Sequence, residues 1–163
     1  MVESRATQEQ LPDAQEPPWS GRREIFETQI LNQSSLTPLI SLKQRRGSIV
    51  NNASISGLVG IATWPAQCAS KHGVVGLTRA VAIEYAKAGI RVNVVCPGAI
   101  ETPMLHGLTG GNPEFEQAVA AAEPMGRVGT PEEVAEAVIW LSSDASSFVT
   151  GHALAVDGGW VAQ

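Results

Sequence analysis

The chain has 163 residues, 44% of them hydrophobic, a net charge of −5 and two cysteines. That length fits one domain with room for a core, and the composition is that of a globular protein. The mildly acidic balance without long charge runs argues against nucleic acid or an anionic membrane as partner, and neither Cys68 and Cys96 nor the three scattered histidines draw a disulfide framework or a metal site.

The N-terminus "MVESRATQEQLPDAQEPPWSGRRE" lacks the apolar stretch of a secretory signal. No window reaches the roughly 18 apolar residues that span a bilayer, so the default expectation is a cytoplasmic protein with no membrane partner. Residues 1–23 are rich in Glu, Gln, Pro and Ser and poor in aliphatics, and are expected to be a disordered tail. The folded unit is expected over 24–163. Residues 24–46 show helical apolar spacing interrupted by "NQSSLTP", which predicts one broken helix or two short ones.

"GSIVNNAS" (47–54) reads as a buried strand opened by glycine. Residues 66–88 form the longest helical pattern, with Val74, Leu77, Val81 and Tyr85 on its apolar face and Gly89 as C-cap. "IRVNVVCPG" (90–98) is a β-branched strand stopped by Pro97-Gly98. Glu101 to Gly129 holds much internal Gly and Pro and reads as a long excursion with a helix at 113–122. "TPEEVAEAVIWL" then carries a full helix start: Thr130 at the N-cap, Pro131 at the first helical position and Glu133 at the capping-box position. Val134, Val138 and Leu141 supply its buried face. "GHALAVDGGW" fits a third buried strand, with Asp157-Gly158-Gly159 turning after it. Alternating strands and helices predict an α/β fold with a parallel sheet of about three strands and helices on both faces.

Open α/β sheets gather their working residues at the carboxyl ends of the strands. Ser54 falls there, as does "PGAIET" with Pro97, Gly98, Ile100 and Thr102. Gln67 and Lys71 lie near the start of the helix between them, where the macrodipole is positive, and at i and i+4 they share a face. A lysine beside a proton-transfer group would make half an active site. A carboxamide, however, does not titrate and cannot serve as a general acid or base.

From Gly47 to Trp160 the chain resembles the C-terminal half of a short-chain dehydrogenase/reductase. The pieces that carry the likeness are "GSIVNNASISG", "ASKHGVVGLTRAVAIEYAKAGIRVNVVCPGAIETPM", "PMGRVGTPEEVAEAVIWLSSDASSFVTG" and "LAVDGGW". The resemblance implies an incomplete Rossmann-like sheet, NAD or NADP as cofactor, and a small alcohol or carbonyl as substrate. In that family a serine polarises the substrate oxygen and a tyrosine is the general acid/base. A lysine binds the nicotinamide ribose and lowers the tyrosine's pKa. Carried over, Ser54 matches the serine and Lys71 the lysine, while Pro97, Gly98, Ile100 and Thr102 match the loop around the nicotinamide carboxamide. The tyrosine's position is Gln67.

The one tyrosine of the chain, Tyr85, stands 14 residues beyond Lys71, roughly 21 Å along a helix at 1.5 Å per residue. It cannot substitute. The family's glycine-rich turn, which brings backbone amides to the cofactor pyrophosphate, has no match before Gly47, where Gly21 is the one glycine. The resemblance therefore implies an oxidoreductase with impaired catalysis. The other class of reading is a non-catalytic dimerising module or a truncated gene product, with Val74, Leu77 and Val81 at a homo-oligomer interface and the serine strand as an exposed sheet edge.

Overall fold

A computed structural model describes residues 46–163. The expected tail at 1–23 and the broken helix at 24–46 lie outside the described residues, apart from Arg46. Three strands form one parallel sheet in the order β1 (Gly47–Asn52), β2 (Ile90–Pro97), β3 (Ala153–Val156). Gly47 pairs with Ile90 and Asn52 with Val95, and Val94 pairs with Ala153 through to Pro97 with Val156. Helix α1 (Pro65–Tyr85) connects β1 to β2. Between β2 and β3 come α2 (Pro103–Thr109), α3 (Pro113–Ala122) and α4 (Pro131–Ser142). The fold is α/β, as expected.

Strand β2 is central and its two faces do different work. Ile90, Val92, Val94 and Cys96 are fully buried against α1, which contributes Val74, Val75 and Ala82. Successive side chains alternate across a strand, so Arg91 and Asn93 point the other way. Arg91 donates to the carbonyls of Leu141 and Ser143 at the end of α4, and Asn93 donates to the carbonyl of Val149. Leu141, fully buried, closes that second face. Helices thus cover both sides of the sheet.

The expected elements are present with differences: β1 ends at Asn52 and β3 spans Ala153–Val156, and both are half-buried where buried strands were expected. The long helix ends at Tyr85 and tightens into a 3-10 turn over Ala86–Ala88, capped by left-handed Gly89. The Glu101–Gly129 excursion contains a second helix, α2, opened by Pro103 and capped by Thr102. The apolar face of α1 is also rotated from the expected one: Val74, Val75, Thr78 and Ala82 are buried, whereas Leu77 and Val81 are only partly so. Val74 is spent on the core, and Val81 packs against it, so this set is not a free interface. Ile83, 80% exposed, is the large apolar side chain that α1 presents to solvent. β1 pairs on one side only among the described residues. None of the described helices is long and apolar enough to cross a membrane.

Candidate functional site

The crevice is built at the carboxyl end of β2, where β1, α1 and the loop after β2 meet. β1 stops at Asn52, and Ala53 N–H donates to Val95 O at 2.9 Å. Ser54 follows in an extended conformation, and its hydroxyl oxygen accepts from Ser56 N–H at 3.2 Å, capping a 3-10 turn over Ile55–Gly57. That turn presses on α1 closely enough that a Cβ on Gly57 would stand 2.8 Å from the Lys71 carbonyl oxygen. Only glycine fits such an approach. Ser54 is therefore held beside the helix segment that carries Lys71.

The start of α1 is fastened by backbone and sulfur. Pro65 takes the first helical position, Cys68 N–H donates to Trp64 O at 3.0 Å, and Cys68 Sγ accepts from Ile61 N–H at 3.3 Å. Thr63 just ahead has a φ of 69°, a left-handed conformation uncommon outside glycine. The Cys68 thiol is thus engaged in holding this turn, and His72, whose Nδ1 lies 2.9 Å from Cys68 O, is engaged within its own helix. Gln67 lies in the first turn of α1, half-buried, and its side chain makes no hydrogen bond to another described residue. The i, i+4 spacing puts it on the Lys71 side of the helix, but the two side chains are not bonded to each other.

Lys71 is half-buried, and no carboxylate among the described residues pairs with it. Burial holds its ammonium below the ordinary lysine value, partly offset by the adjoining Cys96 thiol. Cys96, which the sequence did not single out, is the hub under the crevice. Fully buried, its thiol is pushed up by burial, against the pull of the Ser54 backbone N–H and of the Arg79 and Lys71 cations. Cys96 packs with Ala53, Val74 and Val75 in the core cluster that joins the end of β1, α1 and β2.

The loop Pro97–Thr102 forms the other wall and is held almost wholly by backbone. Gly98 N–H donates to Val156 O at 3.1 Å, and a Cβ there would meet Asp157 Cα at 2.9 Å. Ile100 bridges Gly129 in parallel register, with Gly129 N–H to Ala99 O and Glu101 N–H to Gly129 O, both 2.9 Å. Thr102 donates to Ile100 O and accepts from Leu105 N–H, so its hydroxyl is committed to the loop and to the cap of α2. Behind this loop lies a cavity of about 300 Å³, bordered by Glu123, Arg127, Glu133 and the Asp157–Gly159 turn. Glu123 was not legible in sequence, since no spacing ties it to "PGAIET".

This geometry, a parallel sheet with a polar crevice at its carboxyl end, defines a Rossmann-like α/β protein. The family model described as Enoyl-(Acyl carrier protein) reductase matches residues 32–161. The chain belongs to the short-chain dehydrogenase/reductase family. It is 53% identical over 124 residues to an inactive 2-(S)-hydroxypropyl-CoM dehydrogenase 2 of Xanthobacter autotrophicus (strain ATCC BAA-1158 / Py2), covering 74% of this chain and 54% of that protein. It is 50% identical over 118 residues to cyclohexanol dehydrogenase of Acinetobacter sp. (strain SE19), covering 72% and 44%. Among solved structures, an NAD(P)-dependent gluconate 5-dehydrogenase from Beutenbergia cavernae with bound NADP superposes with a TM-score of 0.80 at 38% identity, over 86% of this chain and 57% of that one. The chain spans about half the length of the curated relatives it matches.

Proposed function

We propose that this chain is the catalytic-loop portion of an NAD(P)-linked alcohol or carbonyl oxidoreductase in which the proton-donor position is filled by Gln67, so that hydride transfer by the chain as it stands is weak or absent. The observation that carries this reading is the placement of Gln67 in the first turn of α1, beside a crevice that otherwise keeps its polar groups. The kinship to NAD(P)-linked relatives supports the choice of cofactor.

The residues at the nicotinamide end fit such a cofactor. Lys71 carries a half-buried ammonium with no carboxylate partner among the described residues, which suits the hydroxyls of a ribose. Ser54 spends one acceptor site on Ser56 N–H and keeps its O–H to donate toward a substrate oxygen. Gly98 lets the Pro97–Thr102 backbone lie flat against the turn after β3, where Pro97, Gly98, Ile100 and Thr102 would frame a carboxamide. When bound, the nicotinamide supplies or accepts the hydride. What the chain's own residues lack is a titratable group at the Gln67 position to move the accompanying proton, help worth typically about 10²–10⁴-fold. The adenosine end has no glycine-rich turn to meet it in these 163 residues.

NADH and NADPH titrations followed by the fluorescence of the four tryptophans test the reading. Saturable change at micromolar nucleotide supports it. No change up to millimolar nucleotide refutes it and favours a second reading, an interaction module. That second reading draws on the one-sided pairing of β1 among the described residues and the exposure of Ile83, and it calls for a stable dimer in light scattering. A small-molecule alcohol or carbonyl substrate, a cytoplasmic location and a homo-oligomer belong to the same proposal.

A further inference from the structure

Glu123 caps the C-terminus of α3, opens the turn that follows and is 5% exposed. Its Oε1 accepts from Ala99 N–H at 3.2 Å, within the loop that frames the crevice. Its Oε2 is buried and has no hydrogen-bond partner among the described residues. That oxygen packs beside Gly158, where a Cβ would stand 3.6 Å away. A buried, unpaired carboxylate is far costlier than a buried carboxyl, because the charge loses its hydration without a compensating donor. The acid form costs less, with Oε1 as the carbonyl oxygen facing Ala99 and Oε2 as a hydroxyl, because an unpaired neutral group is cheaper to bury than an unpaired charge.

We propose that Glu123 is a positioning residue: from behind the crevice it fastens the Pro97–Thr102 loop through Ala99 as a neutral carboxyl, and it lets go when it ionises. The charged groups around it agree with this. Asp157, after β3, adds a like charge, while Arg127 and Glu133 across the cavity neutralise each other through bonds of 2.6 and 2.9 Å. No cation is left for Glu123 among the residues that border the cavity. Burial, then Asp157, pushes the Glu123 carboxyl above the ordinary glutamate value against the opposing pull of the Ala99 N–H. On ionising, the carboxylate gains by turning out of its buried seat toward water, and Ala99 loses its acceptor.

The folded form holds this proton more tightly than the unfolded chain. The contribution to stability is therefore full below the unfolded glutamate value and is lost as pH rises through the raised folded value. Calling the loop a cofactor loop rests on the function proposed above. The test uses the whole chain without nucleotide, so failure of the latch and failure of that reading are told apart.

The carboxyl carbon of Glu123, labelled with carbon-13, is titrated by NMR while hydrogen exchange of the Ala99 amide is followed across the same pH range. The expected result is a midpoint above the ordinary glutamate value, with Ala99 protection falling about tenfold across it beyond the intrinsic exchange trend. Glu123→Gln, which keeps an acceptor without a titration, should hold protection with no pH step. Glu123→Ala should lose protection at every pH. A midpoint at or below the ordinary value, or the same pH step in Glu123→Gln, would overturn the proposal, and so would full protection in Glu123→Ala. Should the alanine variant not fold, wild type against Glu123→Gln decides.

Discussion

The Pro97–Thr102 loop and the Ser54–Lys71 wall follow the carboxyl ends of two neighbouring parallel strands, β2 and β1, but they are built differently. The loop is fixed by main-chain bonds to Val156 and Gly129, and its threonine is committed to local bonds. The other wall depends on side chains: Ser54 with a hydroxyl proton to spare, and, among the described residues, Lys71 with no carboxylate partner and Gln67 with no side-chain bond. Main-chain bonds tolerate substitution wherever a Cβ has room, which excludes Gly98 and Gly129, where one would stand 2.9 Å from Asp157 Cα and 2.7 Å from Ile100 Cδ1. Proton transfer does not, because one residue type must stand at one place. A chain can therefore keep the frame of a cofactor site while losing its chemistry at a single position.

The largest effect that tests this contrast comes from the helix wall. Gln67→Tyr should raise turnover of simple secondary alcohols or ketones with NAD(P)(H) by about 10²–10⁴-fold over the parent if only the proton donor is missing. The phenol would stand on the same helix face as Lys71, whose ammonium would lower its pKa. Steady-state nucleotide absorbance is the readout. Unchanged background activity, with cofactor binding intact, would show that the wall lacks more than one group.

Next in size are two glycines, one in each region. Gly57→Ala drives a Cβ to 2.8 Å from the Lys71 carbonyl oxygen, and Gly98→Ala drives one to 2.9 Å from Asp157 Cα. Both neighbours are main-chain atoms that cannot rotate away, so each substitution should cost about 1–3 kcal/mol by overpacking. Urea unfolding gives the magnitudes. Amide chemical shifts should separate the regions, with Gly57→Ala disturbing α1 near Lys71 and Gly98→Ala disturbing the turn at Asp157–Gly159. Loss of either signature would mean that the close approach it reports is not as described.

Lys71 gives a smaller test. Its ammonium is disfavoured in the folded chain by burial, so the unfolded chain binds that proton more tightly. Stability should therefore rise with pH between the lowered folded value and the ordinary 10.5. Lys71→Met, which keeps the apolar stem, should flatten that rise. Denaturant midpoints at several alkaline pH values would show it, and equal slopes in the two proteins would place the ammonium in water.

Much of this was legible in the sequence because local patterns carried it. The capping box at Thr130 and Glu133 forms both of its bonds, the β-branched runs became strands, and Gly89 closes the turn after α1. Gln67 was found because its neighbours follow a family pattern from which it departs. What stayed hidden depends on contacts distant in sequence. The α1 face could not be set from periodicity alone, since which of Val75 and Leu77 goes inside depends on how the helix lies across β2. Glu123 reads as an ordinary charged residue, yet the loop 24 residues before it along the chain makes it a buried latch. Cys96 is one residue of the β2 pattern in sequence, and only the packing of β2 against α1 sets it in a core cluster with Ala53, Val74 and Val75.

The smallest effects return to the loop side, where a capping box borders the segment that bridges Ile100. Thr130→Ala removes the acceptor for Glu133 N–H and should cost about 1 kcal/mol. Because the N-cap of α4, Thr130, directly follows Gly129, the loss should also raise exchange of the Glu101 amide, which donates to Gly129 O. Glu133 itself accepts from Arg127 and from Thr130 N–H, and these bonds hold its carboxyl down at about 2 against an ordinary 4.5. A depressed carboxylate stabilises above the unfolded value, and its share fades as pH falls from about 4.5 to about 2. The pair is exposed, so the change is small and screened by salt. Wild type should lose slightly more stability than Glu133→Gln over that acid interval, and the difference should shrink in molar salt. If the two proteins track each other at low salt, the Arg127–Glu133 pair adds nothing to stability, and the loop is held by its main-chain bonds together with Glu123 and Thr102.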